Sequence, residues 1–134
     1  MEPAAPILHL SLPVRDLGEA RIFYADTLGC EIGRERDGWF DVWFHGMQLT
    51  LHLRPAQVLP ADPANVRHFG VTLDAAALAA LFARLESRPV QWLKRPTTDY
   101  AGTERSQTKA MIADPSGNAI ELKTYVDPRS AFAD

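Results

Sequence analysis

The chain has 134 residues, enough for one compact domain, and its 46% hydrophobic and 23% charged residues are typical of a globular protein. The sequence holds no apolar run long enough to cross a membrane and no basic cluster that would neutralise nucleic-acid phosphates, and its formal charge is −3. The single cysteine, Cys30, excludes a disulfide within the chain, and Glu2 stands where a secretion signal would be positive. We therefore expect a cytoplasmic protein without a nucleic-acid or membrane partner.

The first half of the chain predicts the element order βαβββ. Residues 6–14 alternate apolar and polar side chains, which is typical of a half-buried strand. Asp16 is placed to cap a helix over residues 17–28, which ends at Gly29. The segments after this helix predict three short strands: residues 30–35, 39–44 and 48–54. This first module is expected to span about residues 6–54.

The second half repeats the plan. Residues 55–66, with three prolines and no periodicity, are expected to form a linker. A strand over 67–73 follows, and Asp74 is placed to cap a second helix. Apolar side chains recur at helical spacing in this helix: Leu78, Leu81, Phe82 and Leu85. Three strands are predicted next: residues 89–94, 108–113 and 118–125. The module spans about 67–125, and the tail from Asp127 is expected to be loosely held.

Two copies of one plan indicate an α+β fold in which each sheet buries one face under its helix. We predict a single domain over residues 1–134, in which two tandem βαβββ modules form a curved mixed sheet around a central cleft. The faces that carry no helix would line this cleft.

Four chemically active side chains fall on those free faces, in the first and last strands of each module: His9, His52, His68 and Glu121. His9 and His68 hold matching places, and His52 is expected to match Glu121. Two imidazoles and a carboxylate from separate strands form a set that holds Fe, Zn, Ni or Mn and leaves positions open for a substrate. The pattern predicts a divalent-metal site of His9, His68 and Glu121. His52 is then a fourth ligand or an acid–base group.

The same residues also have plainer interpretations. A histidine on a strand is more often a surface or core-edge residue than a metal ligand, and Glu121 can simply pair with Lys123. The repetition of both histidines in matching places is what favours the metal site.

The second module is about ten residues longer than the first between its matched positions, and the extra length falls in residues 94–108. This stretch forms a lid over the site or a plain polar hairpin connection. Within it, Arg95 and Tyr100 are candidate substrate-binding residues, because they suit a carboxylated or phenolic substrate. Trp43 in the first module offers an aromatic wall.

Several segments resemble the vicinal oxygen chelate superfamily, which includes glyoxalase I, extradiol dioxygenases, fosfomycin-resistance transferases and bleomycin-resistance proteins. The segments are HLSLPVRDL, FYADTLGCEIG, RHFGVTL and ADPSGNAIELKTY. Each motif alone is weak. The specific signal is a V-x-D-L entry to a helix that ends F-Y-x-x-x-L-G, combined with a late D-P-x-G-x-x-x-E-L.

The resemblance implies a divalent metal held by His9, His68 and Glu121, and commonly a homodimer, in which a site can draw strands from both chains. It implies dioxygenase or lyase/isomerase chemistry on a small substrate that chelates the metal through adjacent oxygens. Glyoxalases usually place Glu or Gln where this chain is expected to have His52, so Glu121 and His52 become the candidate catalytic groups. The alternative is a metal-free antibiotic-binding protein of the bleomycin-resistance type, whose members generally lack the ligand set.

Overall fold

A computed structural model of the chain describes residues 5–64 and 66–132, and its elements follow the order βαβββ twice. The strands are β1 His9–Val14, β2 Glu31–Arg36, β3 Trp39–Phe44, β4 Met47–Leu53, β5 Phe69–Thr72, β6 Gln91–Asp99, β7 Gln107–Ala113 and β8 Ala119–Tyr125. The helical segments are α1 Leu17–Arg21, a π-helix Ile22–Thr27, α2 Ala75–Glu86, and 3-10 turns at Pro55–Gln57 and Pro128–Ala131. The predicted α+β class and its two βαβββ modules are confirmed.

Each module forms its own four-stranded sheet, with the order β1-β4-β3-β2 in the first and β5-β8-β7-β6 in the second. The first and last strands of a module run parallel, and the other neighbours run antiparallel. The chain divides into two compact units between Val58 and Leu59. Because the first and last strands are neighbours, residues from the two ends of a module lie side by side.

The first sheet has an apolar face and a polar face, as strand alternation requires. Five residues on the apolar face are each at most 4% exposed: Phe40, Val42, Phe44, Leu49 and Leu51. Ala20, Phe23 and Tyr24 of the helical segment are also buried and complete this core. The polar face carries the side chains of opposite parity: Trp39, Asp41, Trp43, Gln48, Thr50 and His52. Burial of each large apolar side chain contributes about 1.5–3 kcal/mol, so the apolar face determines which side chains remain on the other.

The helix predicted over 17–28 is present, but its second half is a π-helix. Asp16 caps the first turn, where its carboxylate accepts a backbone N–H at 2.8 Å. The backbone N–H of Leu28 donates to the carbonyl of Phe23, five residues earlier, at 2.9 Å. The buried residues Ala20, Phe23, Tyr24 and Thr27 still follow the i, i+3, i+4, i+7 spacing of one helix face, so the sequence pattern gives no sign of the wider turn.

The insertion of the second module is a hairpin, in agreement with the plainer of its two interpretations. The predicted strand over 89–94 continues as β6 to Asp99, so the connection to β7 consists of residues 100–106. The register shifts twice between Trp92 and Thr97, and Pro96 lies in this edge strand, where a missing N–H is tolerated. These irregularities break the alternation from which the strand would have been recognised.

The tail is more ordered than the sequence predicts. Asp127 caps the 3-10 turn Pro128–Ala131, and its carboxylate accepts the backbone N–H of Arg129 at 3.0 Å. Glu2 and residues 133–134 of the tail lie outside the described residues. Among the residues that are described, no helix has the length and apolar character needed to span a bilayer.

Candidate functional site

The cluster with the most evident chemistry lies on the second sheet, where β5 and β8 run parallel. Gly70 pairs with Glu121 and Thr72 with Lys123, and His68 immediately precedes β5. These residues line one open groove. An imidazole, a carboxylate and an ammonium group are therefore close together within this unit.

His68 and Glu121 face each other across the groove. Nε2 of His68 lies 3.5 Å from Oε2 of Glu121, and Nδ1 donates to the carbonyl oxygen of Val66 at 2.7 Å. Because a carbonyl only accepts, Nδ1 carries the ring hydrogen, and Nε2 of the neutral ring presents a lone pair to the carboxylate. A proton on Nε2 or a cation between the two groups would each be stabilised by this arrangement.

The spacing fits a divalent cation. Bonds of about 2.0–2.2 Å at angles between about 90° and 110° place two ligand atoms roughly 2.8–3.6 Å apart. The observed 3.5 Å between His68 and Glu121 lies at the upper end of this range. The other carboxylate oxygen, Oε1, lies 3.4 Å from Nζ of Lys123. The donor set present is thus suited to holding a metal ion.

His9 has a matching arrangement in the first unit. Its Nδ1 donates to the carbonyl oxygen of Gln48 at 3.1 Å, and its Nε2 lies 3.2 Å from the hydroxyl of Ser11. Both histidines thus have the tautomer and ring orientation set by a main-chain carbonyl, as is common for metal-binding imidazoles. Within either unit, no three described His, Cys, Asp or Glu side chains are grouped closely enough to hold an ion.

Strand register corrects one expected correspondence. Ser11 pairs with Thr50, and Gly70 pairs with Glu121. Ser11 and Gly70 each lie two residues after the histidine of their module, so the residue that corresponds to Glu121 is Thr50. His52, expected in that place, lies two residues further on and corresponds to Lys123.

His52 lies well away from His9 along the first sheet. It pairs with Pro13, whereas His9 pairs with Gln48. Four residues of strand correspond to about 13 Å. The imidazole of His52 lies beside Trp39, with ring centroids 6.3 Å apart, and it borders a second groove. Whether His52 acts as a ligand or as an acid–base group stays a prediction.

The three predicted substrate-binding residues lie in different places. Trp43 is half-buried on the polar face, with its indole Nε1 3.0 Å from the position that a Cβ on Gly33 would occupy. Arg95 pairs with Glu86 of α2 at 3.3 Å and lies over Trp92. Neither Arg95 nor the 56% exposed Tyr100 lines the groove of His68 and Glu121. Their role in substrate binding stays a prediction.

Asp41 is a buried carboxylate that the sequence reasoning missed. Only 1% of it is exposed, yet it lies on the polar face beside Thr50. Burial opposes its ionisation, but hydrogen bonds from Thr50, Arg34 and Gln48 outweigh that effect and hold the pKa of the Asp41 carboxyl below its usual value. The available signal was an acidic residue in the middle of the aromatic strand WFDVWF.

The family model of the Glyoxalase/Bleomycin resistance protein/Dioxygenase superfamily matches residues 6–122 of the chain. The chain belongs to this superfamily. The match covers both modules, and it includes both matched histidines and Glu121. Among curated proteins, none matches the chain.

Several solved structures resemble the chain over nearly its whole length. A glyoxalase/bleomycin resistance protein/dioxygenase from Alicyclobacillus acidocaldarius is 29% identical, with a TM-score of 0.84, and the match covers 97% of this chain and 98% of that one. The fosfomycin resistance protein FosX from Listeria monocytogenes is 14% identical, with a TM-score of 0.73 and coverage of 91% and 94%. A lactoylglutathione lyase from Agrobacterium tumefaciens is 21% identical, with a TM-score of 0.65 and coverage of 91% and 95%. The last two likenesses concern the fold alone.

Proposed function

We propose that this chain is a divalent-metal-dependent enzyme that acts on a small substrate through two adjacent, metal-chelating oxygens. The observation that carries the proposal is the pair His68 and Glu121, whose Nε2 and Oε2 atoms lie 3.5 Å apart with the imidazole held by a main-chain carbonyl. Fe, Zn, Ni and Mn all suit a set of imidazoles and a carboxylate.

His68, Glu121 and His9 would together hold the ion. His9 would come from the same chain or from a second copy in a homodimer, and its hydrogen bond to the carbonyl of Gln48 supports a ligand role for Nε2. Three protein ligands leave open positions for two substrate oxygens. A bound divalent ion would polarise a carbonyl or stabilise a developing enolate, and iron would also permit chemistry with O₂.

The chain's own residues would orient the substrate and manage its charge. The ammonium group of Lys123 lies 3.4 Å from Glu121, where it is placed to attract an ionised substrate oxygen entering the groove. His52 would act as an acid–base group, since its distance from His9 along the sheet favours a role other than sharing the ion. Trp43 would supply an aromatic wall on the same face as His9.

The position matched to Glu121 bears on the reaction type. Glyoxalases usually have Glu or Gln there, and this chain has Thr50, which is 5% exposed and donates to Asp41 at 2.6 Å. A hydroxyl supplies no second carboxylate base for proton transfer between adjacent carbons. This difference favours dioxygenase chemistry over isomerisation of a glutathione adduct.

Metal analysis and two activity assays test the proposal. Protein purified without a chelator should contain about one divalent ion per site. After reconstitution with Fe(II), it should take up oxygen with members of a catechol panel. Turnover of a hemithioacetal with Zn or Ni would replace the dioxygenase assignment with an isomerase one.

Two outcomes would contradict a metalloenzyme. One is metal content that stays the same in Glu121→Gln and His68→Ala. The other is tight binding of an aromatic antibiotic by the metal-free protein, with no metal-dependent turnover in any assay. That second result would support the antibiotic-binding alternative.

A further inference from the structure

We propose that the polar face of the first sheet binds a planar carboxylate, with Arg34 as the residue that receives it. Arg34 lies on the edge strand β2, next to the buried Asp41 of β3. The inference extends the proposed function, because it adds a carboxylate to the substrate, but the binding itself requires no metal.

Asp41 anchors the guanidinium group at one point only. Nε of Arg34 donates to Oδ2 of Asp41 at 2.7 Å. The same carboxylate also accepts from the Thr50 hydroxyl at 2.6 Å and from the Gln48 amide at 3.1 Å. Two neutral donors thus share in satisfying the buried charge, and Asp41 engages a single N–H of the arginine.

Two indole rings flank this anchor. The guanidinium carbon of Arg34 lies 5.1 Å from the ring centroid of Trp39. On the other side, the indole of Trp43 lies over Gly33, the residue before Arg34. A guanidinium group stacked on an aromatic ring and held at Nε keeps its plane, so it loses little side-chain freedom when it binds a ligand.

The outer end of Arg34 remains available. Among the residues that the structure describes, neither Nη nitrogen of Arg34 has a hydrogen-bond or ion-pair partner, and its side chain is 59% exposed. The two Nη groups form a fork that matches the two oxygens of a carboxylate. The flanking indoles suit a ligand whose carboxylate is attached to a flat, conjugated or aromatic body.

The site lies on the same sheet face as His9. Asp41 pairs with Thr50, which pairs with Ser11 of β1, two residues from His9. Two strand spacings, about 10 Å, separate β1 from β3, where Asp41 holds Nε of Arg34, and three spacings, about 14 Å, separate β1 from β2, which carries Arg34. A substrate chelated near His9 would therefore bear its carboxylate roughly 10–14 Å from the chelating oxygens.

Titration of the metal-free protein with benzoate and with benzamide tests the inference. The two probes have nearly the same shape, but only benzoate is charged. In the presence of EDTA, NMR titration of the wild type should show at least about tenfold tighter binding of benzoate, as expected for a charge-assisted bidentate contact. Arg34→Met should abolish this preference. Arg36→Met removes an exposed arginine from the same strand and should leave the preference unchanged.

Arg34→Lys keeps the positive charge and removes the paired Nη groups. This variant therefore tests carboxylate binding even if Arg34→Met destabilises the strand. It should lose most of the preference for benzoate. Equal binding of both probes by the wild type would overturn the inference, and so would an unchanged preference in Arg34→Lys. EDTA is present throughout the titration, so the benzoate result does not depend on the metal site. A failed benzoate test would not contradict the proposed metalloenzyme, and failed metal assays would not contradict carboxylate binding by Arg34.

Discussion

Nε2 of His68 and Oε2 of Glu121 lie 3.5 Å apart, although 53 residues separate them in the chain. The parallel pairing of β5 with β8 brings them together, with Gly70 directly opposite Glu121. Since the Val66 carbonyl holds the hydrogen of the imidazole on Nδ1, the pair presents two electron-pair donors to one point. This relationship gives the metal site its sharpest test.

Glu121→Gln keeps the shape of the side chain and removes its charge, so we expect metal affinity to fall. The loss should exceed the ~10–100-fold that removal of an outer hydrogen-bond partner typically costs, because a ligand itself is changed. Competition with a chromophoric chelator measures the affinity. His45→Asn in the β3–β4 turn is the control, since Asn tolerates the positive φ of 47° found there. An equal loss in both variants would contradict the assignment.

Lys123→Met should have the opposite effect on metal binding. The ammonium group lies 3.4 Å from Oε1 of Glu121, where it competes with a cation for the carboxylate and repels it. Its removal should tighten metal binding by about tenfold, or ~1.4 kcal/mol, in the absence of substrate.

Lys109→Met is the matched control for Lys123. Lys109 pairs with Lys123 across β7 and β8, but its ammonium group lies 3.1 Å from Asp99. We expect a much smaller change in metal affinity for this variant. Weaker metal binding in Lys123→Met would contradict the placement of the ion beside Glu121, because loss of a neighbouring positive charge should favour a cation there.

Gly70→Ala should destabilise the protein and disturb the site together. A Cβ at this position would lie 2.0 Å from the carbonyl oxygen of Glu121, so the backbone of β5 or β8 would have to move. We expect a loss of about 1–3 kcal/mol in the free energy of unfolding, typical of overpacking, along with weaker metal binding. Urea denaturation and the chelator assay measure both. Thr72→Ala on the same strand introduces no clash, and a similar loss there would refute the explanation.

Asp41→Asn should lower stability at neutral pH. The amide offers one acceptor oxygen where the carboxylate offers two to Arg34, Gln48 and Thr50, and it removes the charge that faces Arg34; loss of a hydrogen bond to a buried charged group costs about 1–3 kcal/mol. The measurement is the free energy of unfolding by urea at pH 7. The exposed Asp37→Asn in the β2–β3 turn is the control and should change it little.

The advantage of the wild type over Asp41→Asn should shrink in acid. The pKa of Asp41 is lowered from its usual 3.8, because hydrogen bonds from Thr50, Arg34 and Gln48 outweigh the opposing effect of burial. The folded state therefore binds fewer protons than the unfolded state, so this stabilisation is complete above about pH 5 and declines as the pH falls through the folded-state pKa. A constant difference between the two proteins from pH 7 down to about pH 3 would contradict it.

Much of the fold was predictable because its signals are local. Strand β3 begins and ends where the sequence predicts, at residues 39 and 44, and Asp74 caps α2 by accepting a backbone N–H at 2.8 Å. The π-helix and the full length of β6 were not predictable. They depend on core packing and on bulges, which the spacing of neighbouring residues does not record.

The candidate site was also predictable only in part. Alternation along β4 places Gln48, Thr50 and His52 on one face, but it does not say which of them is level with His9. The parallel register of β1 and β4 decides this, and it matches Thr50 rather than His52 to Glu121. The sequence by itself determined the two modules and the residue types of the site. Tertiary structure decided which side chains meet, because strand pairing and its register follow from contacts between distant parts of the chain.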